Sequence, residues 1–527
     1  MFGIFGNSKD QNVASILKTT GTLKYKMILY SFLIGLISGG VIIVYRILGE
    51  YLLEHFQIMY KKANGHLLYM IIIFALLVCI SLFVSFCVKM EPNISGSGIP
   101  QVEGTITRRI KTDWKKVLFF KFIGGVMTLA AGLSVGREGP SIQMGAAVGE
   151  GIAKKTNRMD HEQKYLLTSG ASAGLAAAFN APLAGVMFAL EEVHKNFSPV
   201  VLMSAMVSAV TADIMTKSVL GINPSLRFSM LHVMPIKYYW SLIILGILVG
   251  LSSYIFNNGL LFTKHFYKKM PIKLEYKIMI PFLLSGIIGM TFPLLIGGGH
   301  ILIMQISAMK FSILMVLMIL VIKYIFTFIS FGSGVPGGIF FPLLALGAII
   351  GNMFAMICIR YLGVPQEYLI NFAILAMAGH FAAIVKAPIT GIILIYEMTG
   401  SFEHLLPLSV VVFVAMIVSD LLGVEPVYDM LLEDILGNKN NEMYEGEKNK
   451  KTLVELSVHL GSEVEGKYVS DIKWPENCLV VAIYRGENEI IPRGKTMILE
   501  GDMLLIMVNQ TESPRMLDYL NSLTIQR

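Results

Sequence analysis

An arginine and a glutamate stand side by side as Arg137 and Glu138 within the apolar stretch TLAAGLSVGREGPSIQMGAAVG. A charged side chain near the centre of a bilayer costs roughly 2.5–3.5 kcal/mol on insertion scales, so such residues mark an ion or proton path, or a buried structural pair. GREGP, Gly136 to Pro140, is also one of several Gly/Pro breaks in apolar sequence, with SGSGIPQVEG, NAPLAG, LIGGGHILI, FGSGVPGGIFFP and KAPITG. Lipid cannot satisfy the backbone groups that such breaks free, so they must be buried in protein or line a polar cavity. A Gly-rich turn that opens a helix presents unpaired N–H groups and the positive end of the helix dipole, which suits an anion. Three candidate helix starts follow such turns, after GSGIP, GREGP and GSGVPGGIFFP. Converging, they would hold a small anion without a full positive charge and still let it leave.

The elements that must position these turns are membrane helices. Of 527 residues, 54% are hydrophobic and only 15% charged, too few charges for the surface of a large soluble protein. The apolar blocks Met27–Tyr45, Leu67–Val88, Ile278–Ile296, Ile313–Phe331 and Leu405–Leu422 approach or reach the ~20 residues that span a bilayer. The polar, basic start lacks the pattern of a cleavable signal peptide, and Lys18, Lys24 and Lys26 favour a cytoplasmic N-terminus. A net charge of +7 is then explained by lysines on cytoplasmic loops, with no nucleic-acid partner. Cys79, Cys87, Cys358 and Cys478 read as small core residues, and the ten histidines show no ligand spacing; no metal or cofactor is expected.

Two halves echo each other. Leu175–Glu192 (LAAAFNAPLAGVMFALEE) resembles Phe381–Met398 (FAAIVKAPITGIILIYEM), and GSGIP at Gly96–Pro100 resembles GSGVPGG at Gly332–Gly338. Duplicated halves holding broken helices are a transporter's sequence signature.

GSGIPQVEG, GREGPSIQ and GSGVPGGIFFP, in this order, together with GVEPVYDMLL, resemble the signature segments of the CLC chloride channel and transporter family over roughly residues 30–435. The resemblance implies an all-α polytopic membrane protein, an inverted repeat of broken and tilted helices, working as a homodimer with one pathway per subunit. It implies that Ser97 and Tyr428 contact a central anion and that the amides of Ile339 and Phe340 donate to it. Gly139 and Glu138 would lie at the outer site, Glu138 as the gating glutamate that mimics the anion and swings out when protonated. Glu192 matches the internal proton glutamate and Lys121 an intramembrane lysine giving electrostatic support, while Arg137 would supply structural charge or raise the local potential. Read without the family, Ser97 is more often a helix N-cap than a ligand, Tyr428 more often an interface aromatic, and Glu191 with Glu192 the solvated end of a helix.

Glu192 favours a proton-coupled chloride exchanger over a passive voltage- or proton-gated channel of the same fold. The serine and tyrosine together point to chloride. No nucleophile–base pair or cofactor fingerprint supports an enzyme, and no TVGYG-like filter supports a potassium pathway. A bacterial plasma membrane location with cytoplasmic termini is expected.

Composition changes near Gly437. Residues 1–436 form the membrane region, 437–451 read as a polar linker, and 452–527 as a soluble α/β module. LVELSVHL, CLVVAIYRG, EIIPRG and DMLLIMVN are strand-like, and SPRMLDYLNSL looks helical. The module resembles the RCK-C (TrkA-C) domain, which implies dimerisation and, in some systems, a small regulatory ligand such as cyclic di-AMP or another nucleotide.

Overall fold

The computed structural model describes residues 8–437 and 451–509, apart from 196, 223, 227, 229–231, 307–310, 460, 476–477 and 486–487, and then 520 and 523–524, with side chains from Tyr25 onward except at 160–161, 402, 451–455 and 509. The chain divides into two compact units, Met1–Glu433 and Asp434–Arg527. Most of the expected linker and of the C-terminal helix lies outside the described residues.

In the first unit, eight helices among the described residues are long and apolar enough to cross a membrane. They include four that no single apolar block had marked: Pro199–Leu220, Ile236–Lys269, Phe340–Tyr361 and Gln366–Val385. The helix Tyr239–Lys269 shows why they are membrane elements. Leu242, Leu245, Val249, Phe256 and Leu260 are buried on one face, while the opposite face exposes Ile243, Ile247, Leu251 and Ile255. Apolar side chains on both faces suit a helix with protein on one side and lipid on the other. Cys87 and Cys358 are buried as expected, whereas Cys79 faces outward from the helix Leu67–Met90, where lipid accepts a small apolar thiol.

Near the centre, packing tightens. Helices Glu138–Lys155 and Asp160–Phe179 cross where a Cβ on Gly145 would fall 2.1 Å from the Gly170 carbonyl oxygen, and one on Gly170 equally close to that of Gly145. Only glycine permits that approach, the means by which membrane helices pack without a hydrophobic driving force. Phe340–Tyr361 against Leu369–Val385 repeats the pair in the second half.

Two buried lysines correct one of the sequence echoes. Lys121 donates to the carbonyls of Ile94 and Gly96, both at 2.7 Å, and Lys323 donates to those of Leu295 (3.0 Å) and Gly297 (2.7 Å). Each holds the glycine loop that precedes it in sequence, so the counterpart of GSGIP is GGGH at Gly297–His300. GSGVPGG instead corresponds to the stretch around GREGP, since each precedes a long buried helix. The resemblance between GSGIP and GSGVPGG reflects a shared need for tight turns, and the two are neighbours in space: Gly96 bridges Pro336.

The second unit is an antiparallel sheet of β1 (Lys451–Ser457), β2 (Leu479–Arg485), β3 (Asn488–Ile490) and β4 (Met503–Asn509), ordered β1-β4-β2-β3. Leu504, Ile506 and Val508 alternate into its core, the period-2 pattern of a strand with one covered face. Asp502, buried beside β4, accepts two bonds from Arg485 at 2.8 Å each and one from the Leu499 amide at 2.9 Å.

Candidate functional site

The three glycine loops meet. Gly136 and Gly338 exchange backbone hydrogen bonds, N–H to carbonyl, at 2.6 and 2.8 Å. The Gly96 amide donates to Val335, and the Gly337 amide to Gly96. These bonds bring the start of Glu138–Lys155 against the start of Phe340–Tyr361, whose first N–H groups have no intrahelical acceptor. Ile339 and Phe340 therefore open the second helix at the same point where Glu138 and Gly139 open the first.

Ser97 faces this junction. A Cβ on Gly139 would meet the Ser97 Oγ at 2.4 Å, so only glycine lets the serine loop sit there. The residue capping Ile99–Ile106 is Gly98, and the Ser97 hydroxyl is buried without a hydrogen-bond partner among the described residues. The N-cap reading of Ser97 therefore does not hold. Tyr428 is fully buried in the helix Val427–Leu436, and its hydroxyl also lacks a partner among the described residues. It packs edge-on against Phe188, which packs against Phe340. An interface aromatic would point its hydroxyl at headgroups, so that reading fails as well. Two buried, unpartnered hydroxyls are costly unless something accepts from them.

Glu138 is fully buried, and neither carboxylate oxygen has a hydrogen-bond partner among the described residues. The side chain folds back toward the second helix: the site of a Cβ on Gly136 lies 2.2 Å from Glu138 Oε2 and 3.1 Å from the Phe341 amide nitrogen. Arg137 does not neutralise it closely. Its Nε stands 3.8 Å from Glu138 Oε1, and its Nη1 pairs with Glu50 instead. Arg46, held by the Ala177 carbonyl and Asn180 Oδ1, lines the same cavity of about 290 Å³, with Glu138, Glu50, Arg137 and His300. A carboxyl side chain thus sits at a helix start, at the floor of a vestibule carrying two arginines.

Glu191 and Glu192 part company. Both lie in a π-helical turn over Ala189–His194, where successive side chains face different directions. Glu191 caps the helix Pro388–Thr399 in the other half, while Glu192 is buried with one oxygen unpartnered among the described residues. The solvated-helix-end reading is excluded for both. Lys121 is buried and bonds backbone carbonyls, anchoring the loop that carries Ser97.

Sequence reasoning missed Lys323, Glu397 and the ionic cluster Lys195–Glu103–Asp429. The lone lysine in VIKYIF and the match of Glu191 with Glu397 inside the repeat carried signals for the first two. Among the described residues no group of three His, Cys, Asp or Glu side chains is placed to hold a metal.

Comparison with known proteins gives the same assignment over most of the chain. The family described as "Voltage gated chloride channel" matches residues 80–420, and the TrkA-C domain matches residues 453–521. The H(+)/Cl(-) exchange transporter ClcA of Vibrio parahaemolyticus is 33% identical over 432 residues, 79% of this chain and 91% of that protein. The ClcA of Yersinia pestis is 37% identical over 360 residues, 67% of this chain and 75% of that protein. Among solved structures, a slow cyanobacterial Cl-/H+ antiporter aligns with a TM-score of 0.74 at 30% identity, covering 79% of this chain and 99% of that one. A fluoride/proton antiporter shares the fold at a TM-score of 0.63 and 23% identity, covering 75% and 95% of the two chains. The chain is an integral membrane protein of the CLC voltage-gated chloride channel family, with a TrkA-C domain at its C-terminal end.

Proposed function

We propose that the protein exchanges chloride for protons across a bacterial plasma membrane, as a homodimer with one pathway per subunit. The observation that supports this most directly is the burial of Glu138 at the start of Glu138–Lys155, with its carboxylate turned toward the start of Phe340–Tyr361. An ionised carboxylate there occupies the position that suits an anion. Chloride and the carboxylate compete for the same dipole ends; protonation removes the competitor and lets chloride in. Two ligands of one site are thereby linked, and each shifts the binding of the other by the same factor.

Ser97 and Tyr428 bring their unpartnered hydroxyls to the inner side of this position, where they donate to the chloride. Glu192, buried on the same side as Tyr428, passes protons between Glu138 and the cytoplasm. Lys121 holds the serine loop, and Arg46 and Arg137 attract anions to the outer vestibule. The function is transport and not catalysis, and both termini lie in the cytoplasm. The C-terminal domain regulates the transporter, with a small nucleotide such as cyclic di-AMP as its ligand class.

The test is proton movement in sealed vesicles containing the purified protein, driven only by a chloride gradient. Uphill proton movement that disappears in Glu192→Ala, while chloride still crosses, supports exchange. Chloride flux with no proton movement in the wild type makes the protein a channel.

A further inference from the structure

Lys195 ends the π-helical turn that carries Glu192, in a left-handed backbone conformation with φ 54°. Its ammonium donates to Glu103 Oε1 at 2.7 Å and also pairs with Asp429. Glu103 is buried in the helix Ile99–Ile106, whose preceding loop carries Ser97. Asp429 follows Tyr428 in the helix Val427–Leu436. One cation therefore ties together the three elements that carry Ser97, Tyr428 and Glu192.

We infer that Lys195, Glu103 and Asp429 form an ionic latch that keeps the inner end of the anion pathway closed. This rests on the exchange reading above and names a positioning residue that acts through the two hydroxyls. Ser97 comes from the loop before Ile99–Ile106, and Tyr428 from Val427–Leu436. Neither element alone holds the two hydroxyls together, whereas a carboxylate from each helix binds the same ammonium. Charge-assisted hydrogen bonds of this kind are short and strong, and Glu103 is screened from water where it accepts. The half-exposed Asp429 is the weaker arm, so the Tyr428 helix is the element that swings when the latch opens. An exchanger needs that closure: if the inner end stands open while Glu138 is displaced, chloride slips through with no proton returned.

The experiment measures chloride turnover and the chloride-to-proton ratio in vesicles for wild type, Lys195→Met, Asp429→Asn and Lys195→Arg. Asp429→Asn cuts only the arm to Tyr428 and leaves Glu103 paired, so it carries the test if Lys195→Met does not assemble. A latch predicts that Lys195→Met and Asp429→Asn raise the ratio about threefold or more, a modest part of what a charged hydrogen bond contributes. Lys195→Arg should restore it. An unchanged ratio in both neutral variants overturns the latch, as does a proportional fall of chloride and proton transport together. A wild type that moves no protons at all defeats the exchange reading instead. The latch is then read from chloride turnover alone, which must rise by about the same factor.

Discussion

Glu191 and Glu397 trade places between the two halves of the membrane unit. Glu191 accepts from the backbone amides of Ile389 and Thr390 at 3.3 and 2.8 Å, at the start of Pro388–Thr399. Glu397 accepts from those of Leu183 and Ala184 at 3.1 and 2.8 Å, at the start of Pro182–Phe188. Each carboxylate thus caps the helix that is the counterpart of its own. The exchange also isolates Glu192, whose position in the second half is Met398.

The cross-caps should hold the halves together without touching transport coupling. Glu397→Gln is expected to destabilise the protein by about 1.5–3 kcal/mol, the range for hydrogen bonds to a charged group. Thermal unfolding in detergent reads the loss, and the chloride-to-proton ratio in vesicles should stay at the wild-type value. A changed ratio would give Glu397 a part in the pathway.

Ser97 and Tyr428 should each donate a charge-assisted hydrogen bond to chloride. Ser97→Ala and Tyr428→Phe are expected to weaken chloride binding about 10- to 100-fold each, corresponding to about 1.5–3 kcal/mol. Calorimetric titration of chloride into the purified protein measures this. Unchanged affinity in both variants would move the anion away from the two hydroxyls.

Asp502 links the C-terminal sheet to pH. Burial alone would raise its carboxyl, but the Arg485 hydrogen bonds and the Leu499 amide outweigh this and hold it below the ordinary aspartate range. A carboxyl depressed in the folded state adds stability above its unfolded value of about 3.9, which is lost as pH falls through the folded value. Hydrogen exchange across β4 should therefore be faster in Asp502→Asn than in wild type at neutral pH, and the difference should close in strong acid. A gap that persists unchanged in acid would mean that packing, not charge, is what the variant disrupts.

Much of the site is legible in the sequence because glycine and proline leave a written record of backbone need. GSGIP, GREGP and GSGVPGGIFFP mark where the chain must turn inside the membrane, and the structure knits those three loops together. What the letters do not carry is which loop corresponds to which in the repeat. Tight turns look alike, and the register comes from Lys121 and Lys323, each bonded to carbonyls that no side-chain pattern reveals. The long-range ion pairs of Lys195 were equally silent, since Glu103, Lys195 and Asp429 share no spacing. Glu191 and Glu192 are adjacent and identical in type; only their surroundings in the fold assign one to a helix cap and the other to the interior. In the terminal unit, the apolar run LLIMV after the EGD turn was sufficient to place β4, whereas which of its residues face the core was not written in it.

The central claim is that Glu138 and chloride compete for one position, so that anion binding and proton uptake are one equilibrium. The most direct measurement is proton uptake from weakly buffered detergent solution when chloride is added to the purified protein. The account predicts uptake in the wild type and none in Glu138→Gln, with chloride binding retained in both. Chloride binding that draws no protons in the wild type would contradict it.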